Sequence, residues 1–285
     1  MKLKHLTVLM LVLLTLLSLV SCQTPASGAT ATPASGATTA PDDSSAPDED
    51  DWSYIKAKGN LIIGYTLYEP MNYMDGETLT GFDTEFAQAV CDKLGLEPVF
   101  TVIVWDTKEV ELEAKTIDCI WNGMTIDEER SQNMNISQPY VKNMQVVIIR
   151  KENADLYTDT ASLAGKTIAA EAGSAGEKVV NENTDLSQGT LVPVLQQTDA
   201  LLEVKAGTSD AAVLDYVLAK AMVGEGTDYA DLQIVDGLEL AVEEYGIGFR
   251  KNSTATEKVN AVIDELIADG TLQALADKYD VNLAD

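Results

Sequence analysis

The amino-acid sequence of 285 residues predicts an α/β protein built from two lobes, each with a parallel-type sheet. Short apolar runs alternate with segments of helical periodicity from residue 53 onwards. The alternation forms two similar series, separated by a polar loop at residues 151–160. In each series an S/T-x-x-E pattern, typical of a helix N-terminus, follows a strand. Because ligands of such folds bind beyond the carboxyl ends of the strands, we expect a ligand cleft between the lobes.

The first series alternates strands and helices in βαβαβ order. Its predicted elements are the strand 60–65, the helix 81–94, the strand 98–104, the helix 107–115 and the strand 117–121. Apolar residues recur at helical spacing along 81–94, which indicates that one face of this helix packs on a sheet. This order favours a parallel sheet with helices on its faces.

Residues 121–130 (WNGMTIDEER) combine a strand end with a candidate anion site. The Asn-Gly pair is expected to end the strand, and Thr125 with Glu128 fits a capping box that starts a helix at Ile126. A helix N-terminus has free backbone N–H groups that attract an anion, and the Arg130 guanidinium could bind a carboxylate through two hydrogen bonds. The alternative is an ordinary strand-to-helix turn with a surface arginine.

The second series follows the same pattern. The predicted strand 144–150 precedes the polar loop, and the second series begins after the loop with the strand 166–170. Its further predicted strands are 210–214 and 247–250, and its predicted helices are 198–206, 216–223, 255–268 and 272–279. Ser174 and Glu177 form the second capping box. Asp215 directly precedes the helix 216–223, so it could serve as the N-cap residue of this helix.

The charge composition excludes several classes of function. The formal net charge is −27, which argues against a nucleic-acid partner because phosphate binding needs basic patches. The single histidine, His5, lies in a segment that we expect to be removed, so the mature chain has no histidine for a catalytic triad or a metal site. We therefore predict a non-catalytic protein with no metal ion and no cofactor.

The N-terminus carries the features of a bacterial export signal. Residues 1–21 combine a basic start with an apolar run, and residues 19–22 (LVSC) resemble a lipobox in which Cys22 is lipidated with palmitate. Residues 22–52 are repetitive and then acidic, which predicts a disordered tether. We expect an extracellular lipoprotein, held on the membrane of a Gram-positive bacterium only by this anchor. The alternative is a plain signal peptide with a chance cysteine.

Cys91 and Cys119 are the two remaining cysteines. Export permits a disulfide bond between them, but Cys91 lies on the apolar side of a predicted helix and Cys119 in a predicted buried strand. A disulfide bond and two unpaired core thiols are both consistent with the sequence.

An ordered series of short motifs spans residues 55–281. The motifs are 68–71 (YEPM), 81–83 (GFD), 105–106 (WD), 117–118 (ID), 122–125 (NGMT), 129–130 (ER), 137–140 (SQPY), 163–166 (LAGK), 173–177 (GSAGE), 244–247 (EYGI) and 268–272 (ADGTL). Each is weak alone, but in this order they resemble the polar amino-acid-binding family of extracellular solute-binding proteins that serve ABC importers.

The resemblance implies a periplasmic-binding-protein-like fold with a two-strand hinge and a ligand cleft between the lobes. The first lobe would comprise residues 53–146 and 244–285, and the second lobe residues 147–243. It also implies a monomer whose lobes close on a free amino acid, and a membrane permease that recognises the closed form.

The resemblance assigns roles to residues in both lobes. Arg130 and the backbone N–H of Thr125 would bind the α-carboxylate of the ligand from the first lobe, and the backbone N–H of Ala175 would bind it from the second. The Gly123 carbonyl oxygen and the Asp215 carboxylate would accept hydrogen bonds from the α-ammonium group.

Aromatic side chains would wall the pocket. Tyr68 matches an aromatic position that stacks on the ligand side chain, and Tyr65 and Trp105 would face the same pocket. Trp121 would either join them or pack in the core. The predicted site is completed by Asn122, Met124 and Ser174.

The identity of the amino acid depends on Glu171, which lies where some family members carry a basic residue. An inward-pointing Glu171 would disfavour an acidic ligand, whereas an arginine- or lysine-type ligand would need a more acidic pocket than the sequence shows. We therefore expect a polar or sulfur-containing amino acid, with cystine among the candidates. The alternative function is a lyase or dehydratase on the same scaffold, acting on a small carboxylic acid with a buried Glu or Asp as its general acid.

Overall fold

The computed structural model describes residues 50–285 of the chain. The predicted signal peptide, Cys22 and most of the predicted tether lie outside the described residues. Helix α1, Asp51–Lys58, begins inside the segment predicted as tether. Arg250 holds it in place, because its Nε donates a hydrogen bond to Asp51 Oδ1 at 2.6 Å. Between residues 50 and 285, no helix combines the length and apolar character that a membrane crossing requires.

The described residues form a mixed α/β fold. The further elements, in chain order, are β1 (Asn60–Tyr65), β2 (Tyr73–Asp75), β3 (Thr78–Thr80), α2 (Phe82–Leu94), β4 (Glu97–Val102), α3 (Lys108–Glu113), β5 (Cys119–Thr125), α4 (Glu128–Asn133), β6 (Asn135–Ile136), β7 (Val141–Arg150), β8 (Thr167–Glu171), α5 (Ala175–Glu182), β9 (Thr190–Val194), α6 (Gln197–Ala206), β10 (Ala211–Asp215), α7 (Tyr216–Met222), β11 (Leu232–Phe249), α8 (Ala255–Ala268) and α9 (Thr271–Tyr279). Each strand and helix predicted from periodicity is present, most of them with one or both ends shifted.

The strand order along the main sheet of this part of the chain is β4-β1-β5-β11-β7-β10-β8-β9. At one end β1 pairs in parallel with β4 and β5, and we call this part the first lobe. At the other end β8 pairs in parallel with β9 and β10, and we call this part the second lobe. Between the lobes lie β7 and β11, which are antiparallel to each other. The predicted α/β architecture, with two lobes joined by two strands, is confirmed.

Strand β11 is much longer than the predicted segment 247–250. Its early part alternates exposed and half-buried residues and is rich in acidic side chains, so an apolar-run criterion does not detect it. Pairing with β7 holds it extended. Strand β9 is not among the predicted strands, because Pro193 argues against a strand. However, β9 lies at the edge of the sheet, where proline is tolerated.

The hydrophobic core extends through both lobes, and helix α2 buries the face predicted from its periodicity. On that face Phe86 meets Trp121 edge-on, with the ring centroids 5.0 Å apart. Trp121 is fully buried, so it is a core residue rather than part of a pocket wall. Cys91 and Cys119 are buried as well, and both are unpaired thiols.

Strand β5 continues through the Asn-Gly pair at 122–123, where the sequence predicts its end. Strand β11 pairs with Met124 and Thr125, which holds this part of β5 extended. The register shifts between these pairs and the pair at Ile120, so the Asn-Gly pair lies in a β-bulge rather than a turn.

Helix α4 begins at Glu128 instead of Ile126. Its N-cap residue is Asp127, whose Oδ1 accepts a hydrogen bond from the backbone N–H of Arg130 at 2.8 Å. The predicted capping box of Thr125 and Glu128 is therefore wrong, because Thr125 is still paired within the sheet.

Candidate ligand-binding site

A cavity lies between the two lobes, beside the carboxyl ends of β1, β5, β8 and β10. It has an empty volume of about 340 Å³, counting the space that opens to solvent. Its lining residues are Thr66, Leu67, Tyr68, Trp105, Asn122, Gly123, Thr125, Arg130, Glu171, Ser174, Ala175, Gln197 and Asp215. The structure thus brings residues of both predicted walls, among them Arg130 and Asp215, to one place.

Tyr65 and Met124 are the two predicted site residues that this lining does not include. The Tyr65 ring packs edge-on against Phe100, with centroids 6.1 Å apart. Met124 is fully buried in a core cluster of the first lobe. Tyr65 is the last residue of β1, and the cavity is lined from the following residue, Thr66, onwards.

Gly123 lets the bulge of β5 form beside the cavity. Its φ of +56° is a left-handed conformation that favours glycine. A Cβ atom at this position would lie 2.6 Å from Cε1 of Tyr68 and 3.0 Å from Cε2 of Tyr245. The two aromatic rings therefore leave no room for a side chain at residue 123, and Tyr68 can approach the backbone closely.

Asp83, near the start of α2, holds the other side of the bulge. Its Oδ2 accepts hydrogen bonds from the Gly123 N–H at 2.7 Å and from the Tyr140 hydroxyl at 3.1 Å. Burial raises the pKa of the Asp83 carboxyl to about 7, although these hydrogen bonds act in the opposite direction. Asp83 thus positions Gly123 from within the core.

Arg130 lies on the first-lobe side of the cavity, with its side chain 7% exposed. Its Nη1 donates to the Thr125 carbonyl oxygen at 2.9 Å, and its Nη2 donates to the Gly173 carbonyl oxygen of the second lobe at 3.2 Å. The Trp105 ring lies near it, with its centroid 6.0 Å from the central guanidinium carbon. A guanidinium has five N–H donors, so Arg130 keeps donors for a carboxylate in the cavity.

Asp215 occupies the N-cap position of α7, but its side chain makes no capping hydrogen bond. Its carboxylate accepts instead from three side-chain amides: Asn143 Nδ2 and Gln145 Nε2, each at 2.6 Å, and Gln197 Nε2. Of the two roles that the sequence leaves open for Asp215, the structure therefore excludes side-chain capping. The amides fix the carboxylate at the cavity wall.

A second carboxyl group, Glu243 on β11, adjoins Asp215. It shares the amide donors of Asn143 and Gln145, at 2.5 and 2.8 Å. Burial, with the negative charge of Asp215, raises the pKa of Glu243 to about 8. Glu243 is therefore largely protonated at neutral pH, which spares Asp215 a second adjacent negative charge.

The loop before α5 forms the second-lobe wall. Ser174 Oγ accepts from the Glu177 N–H at 3.1 Å, so the predicted N-cap is confirmed. In return, Glu177 Oε2 accepts a hydrogen bond from the backbone N–H of Gly173 at 2.8 Å. Gly173 is the residue before the N-cap, whereas a standard capping box uses the N–H of the N-cap residue. Ala175 is the first helical residue, so its backbone N–H has no intrahelical acceptor and is available to an anion.

Asn122 lines the cavity, but its amide group is engaged within the protein. Oδ1 accepts from the backbone N–H and the hydroxyl of Thr66, at 3.1 and 2.7 Å. Nδ2 donates to the Thr66 carbonyl oxygen at 2.9 Å and to Asn72 Oδ1 at 2.8 Å. Asn122 therefore fixes the chain that leads from β1 to Tyr68.

Four lining residues lie outside the predicted binding set. Thr66 and Leu67 directly follow β1, so the rule that loops after parallel strands carry ligand sites could have found them. Gln197 acts through Asp215, a tertiary contact with no signal in the sequence. Glu171, which the sequence raises only as a question of specificity, is buried and lines the cavity.

A two-lobed α/β fold with a buried guanidinium and a fixed carboxylate in the cavity between its lobes describes a receptor for a small charged solute. Residues 61–282 match the family of bacterial extracellular solute-binding proteins, family 3. The chain belongs to this family, as the ordered motifs predict.

Several known proteins are similar to this chain over most of their length. The L-cystine-binding protein TcyJ of Escherichia coli (strain K12) is 30% identical over 239 residues, which cover 82% of this chain and 88% of TcyJ. The arginine-bound form of truncated ArgBP from T. maritima has a TM-score of 0.69 and 35% identity, covering 75% of this chain and 99% of that chain. The ancestral amino acid-binding protein AncCDT-1, a precursor of cyclohexadienyl dehydratase, has a TM-score of 0.72 and 27% identity, covering 79% and 97%.

Proposed function

We propose that this protein is a lipid-anchored receptor that binds a free amino acid outside the cell and delivers it to the permease of an ABC importer. The observation that carries the proposal is one cavity that holds the Arg130 guanidinium from the first lobe and the Asp215 carboxylate from the second. A zwitterionic amino acid carries the two complementary charges on groups attached to the same carbon atom. The similarity to an L-cystine-binding protein and to an arginine-bound protein supports an amino acid as the ligand.

In this proposal the α-carboxylate of the ligand lies between the lobes. Arg130 and the backbone N–H groups of Thr125 and Ala175 bind it. The α-ammonium group donates to Asp215, whose Oδ2 accepts only one protein hydrogen bond, and to the Gly123 carbonyl oxygen. Tyr68 and Trp105, both buried at the cavity, pack against the ligand side chain. Asn122 and Ser174 hold the two walls in position.

The remaining parts of the proposal concern how the receptor works at the membrane. A lipid on Cys22 retains it on the extracellular face of a Gram-positive cell. The lobes meet at residues 146 and 244, within β7 and β11, and the two lobes of one monomer close on the ligand. The hydrogen bond from Arg130 to Gly173 supports such closure, because it already joins the two lobes.

We infer further that the chain binds its ligand without converting it. A lyase or dehydratase is the competing function, and one observation favours it: burial raises the pKa of the Glu171 carboxyl to about 8, as a general acid at neutral pH requires. A zwitterion, however, matches the Arg130 and Asp215 pair and needs no chemistry. Mass spectrometry of each ligand after incubation with the protein distinguishes these functions, because only an enzyme produces a new mass.

A thermal-shift screen against the common amino acids and cystine tests the binding function. A ligand that binds only the folded state stabilises it, by about 2.7 kcal/mol at 100 times its Kd. We expect one amino acid or a small chemically related group to raise the melting temperature of the full-length protein. A flat response to every amino acid would contradict the proposal.

A further inference from the structure

Two carboxyl groups lie at the same edge of the second-lobe sheet. Glu171 ends β8 and Asp215 ends β10, and these two strands are parallel neighbours. Both residues line the cavity between the lobes. Because parallel neighbours bring their carboxyl ends to one edge, both groups face the same ligand.

The two carboxyl groups differ in their partners. Asp215 accepts hydrogen bonds from three amides, whereas the Glu171 side chain makes no hydrogen bond and no ion pair with any residue between 50 and 285. Glu171 is nevertheless only 4% exposed. Burial is the main cause that raises its pKa, followed by the Asp215 charge. A buried carboxyl group without a partner is costly, which points to a partner that arrives with the ligand.

The nearby cations of the protein are directed elsewhere. The positive charges of Lys108 and Arg130 both lower the pKa of Glu171, but neither residue forms an ion pair with it in the described part of the chain. Lys108 Nζ donates to the carbonyl oxygens of Trp105 and Gly173, at 3.2 and 3.1 Å. Lys108 and Arg130 thus donate to backbone carbonyl oxygens and not to Glu171, and the Glu171 carboxyl remains open to the cavity.

The charges of a bound amino acid leave Glu171 unmatched. In the proposed function the α-carboxylate pairs with Arg130 and the α-ammonium group pairs with Asp215. A ligand with an uncharged side chain would leave the Glu171 carboxyl in its neutral form, buried and without a hydrogen-bond partner between residues 50 and 285. A positive group on the ligand side chain would stabilise the ionised carboxylate and pair with it.

The surface next to the cavity has the charge that such a ligand requires. A groove that shares Arg130 and Ser174 with the cavity is lined by six acidic and three basic side chains. The net charge of the whole chain is also strongly negative, at −27. Fields of this sign raise the local concentration and the association rate of cations.

We propose that Glu171 selects amino acids whose side chain carries a positive charge, the class of arginine, lysine and ornithine. This inference rests on the proposed amino-acid-binding function and narrows its ligand class. It differs from the expectation of a polar or sulfur-containing ligand, because the sequence alone does not show that the Glu171 side chain points into the cavity.

Calorimetric titration with L-arginine and L-citrulline tests the inference, because citrulline has nearly the same shape as arginine but an uncharged side chain. We expect the full-length protein to bind L-arginine at least about 30-fold more tightly than L-citrulline, as expected for a buried charge pair. The Glu171→Gln variant should lose most of this preference by weakening arginine binding. The control Glu225→Gln removes a carboxylate from an exposed position of the second lobe, and this variant should keep the preference for arginine.

Three results would overturn the inference. Equal affinities of the unaltered protein for arginine and citrulline would do so without any variant. A preference for arginine that survives Glu171→Gln, or tighter binding of L-cystine than of arginine, lysine and ornithine, would do so too, and each of these results leaves amino-acid binding intact. Failure of every amino acid to bind the unaltered protein would instead remove the proposed function, and the inference with it.

Discussion

Arg130 Nη2 donates a hydrogen bond to the Gly173 carbonyl oxygen at 3.2 Å, and this bond joins the first lobe to the second. The same oxygen accepts from Lys108 Nζ at 3.1 Å. Two cations of the first lobe thus converge on one peptide oxygen at the rim of the cavity. Since charge-assisted hydrogen bonds in a buried setting are stronger than exposed ion pairs, we expect these contacts to favour the closed arrangement of the lobes.

Lys108 provides a test of this expectation. It is buried, and its ammonium lies 4.8 Å from the centroid of the Trp105 ring. Lys108→Met keeps most of the side-chain volume but removes the hydrogen bond to Gly173. We expect it to weaken ligand binding by about tenfold, which corresponds to about 1.4 kcal/mol, measured by calorimetric titration with the amino acid that gives the largest thermal shift.

Lys178 is the matched control, because it also joins the lobes but does so at the surface. Its Nζ lies 3.6 Å from Asp127 Oδ2 and 3.7 Å from Glu129 Oε2, and its side chain is 38% exposed. Exposed ion pairs contribute about 0–1 kcal/mol, so Lys178→Ala should change the affinity by less than about fivefold. A larger loss for Lys178→Ala than for Lys108→Met would contradict the role given to the Gly173 oxygen.

Gly123 should not tolerate a side chain. An alanine there would adopt a left-handed φ and place its Cβ against the Tyr68 ring. We expect Gly123→Ala to lower the free energy of unfolding by roughly 3 kcal/mol, from strain and overpacking together, and to weaken ligand binding. Urea unfolding measures the first effect. Gly165→Ala is the control: Gly165 also has a positive φ, of +73°, but its Cβ would meet no atom within 4 Å, so a loss of only about 1 kcal/mol is expected.

Asp83 should make stability depend on pH. Burial raises the pKa of its carboxyl to about 7, so between about pH 4 and pH 7 the folded state binds more protons than the unfolded state. The contribution of Asp83 to the free energy of unfolding therefore falls as the pH rises through this window. Asp83→Asn removes the ionisation but keeps an oxygen that can accept from the Gly123 N–H.

The measurement is urea unfolding of the unaltered protein and Asp83→Asn from pH 4 to pH 7. Other buried carboxyl groups are common to both proteins, so the difference between the two isolates Asp83. We expect the variant to gain stability relative to the unaltered protein with rising pH, by up to about 4 kcal/mol across the window. A difference that stays constant with pH would show that Asp83 does not titrate in this range.

Asp51 is the first residue of α1. It receives the Arg250 Nε hydrogen bond, and Arg250 also donates to the carbonyl oxygen of Ile117 at 2.7 Å and to Asp118 Oδ1 at 3.1 Å. Asp51→Ala leaves a mostly buried guanidinium with fewer partners, so we expect a loss of about 2 kcal/mol in urea unfolding. Asp75→Ala, at an exposed position, should change stability by less than about 0.5 kcal/mol. Equal losses of stability in Asp51→Ala and Asp75→Ala would show that Asp51 does not stabilise the fold.

The sequence carries enough local information to predict the strand and helix order and the positions of Arg130 and Asp215. Arg130 lies in the first turn of the helix after β5, Asp215 ends β10, and the order of short motifs places both positions on the same cleft. Ser174 is predictable for a similar reason, because a capping box depends only on residues that are close in the chain.

Features that depend on distant pairing are not predictable in this way. Strand β5 passes through an Asn-Gly pair because β11, far along the chain, pairs with it. The partners of Asp215 come from β7 and α6, and no local pattern connects them. The direction of the Glu171 side chain is likewise a tertiary property, although it decides the charge of the pocket.

The central claim is that Arg130 binds the carboxylate of an amino acid while Asp215 binds its ammonium group. Calorimetric titration of the unaltered protein, Arg130→Ala and Asp215→Ala with the best ligand of the thermal-shift screen tests it most directly. We predict that each variant loses at least about 100-fold in affinity, as expected when one partner of a buried charge pair is removed. Binding that is unchanged in both variants would contradict the account.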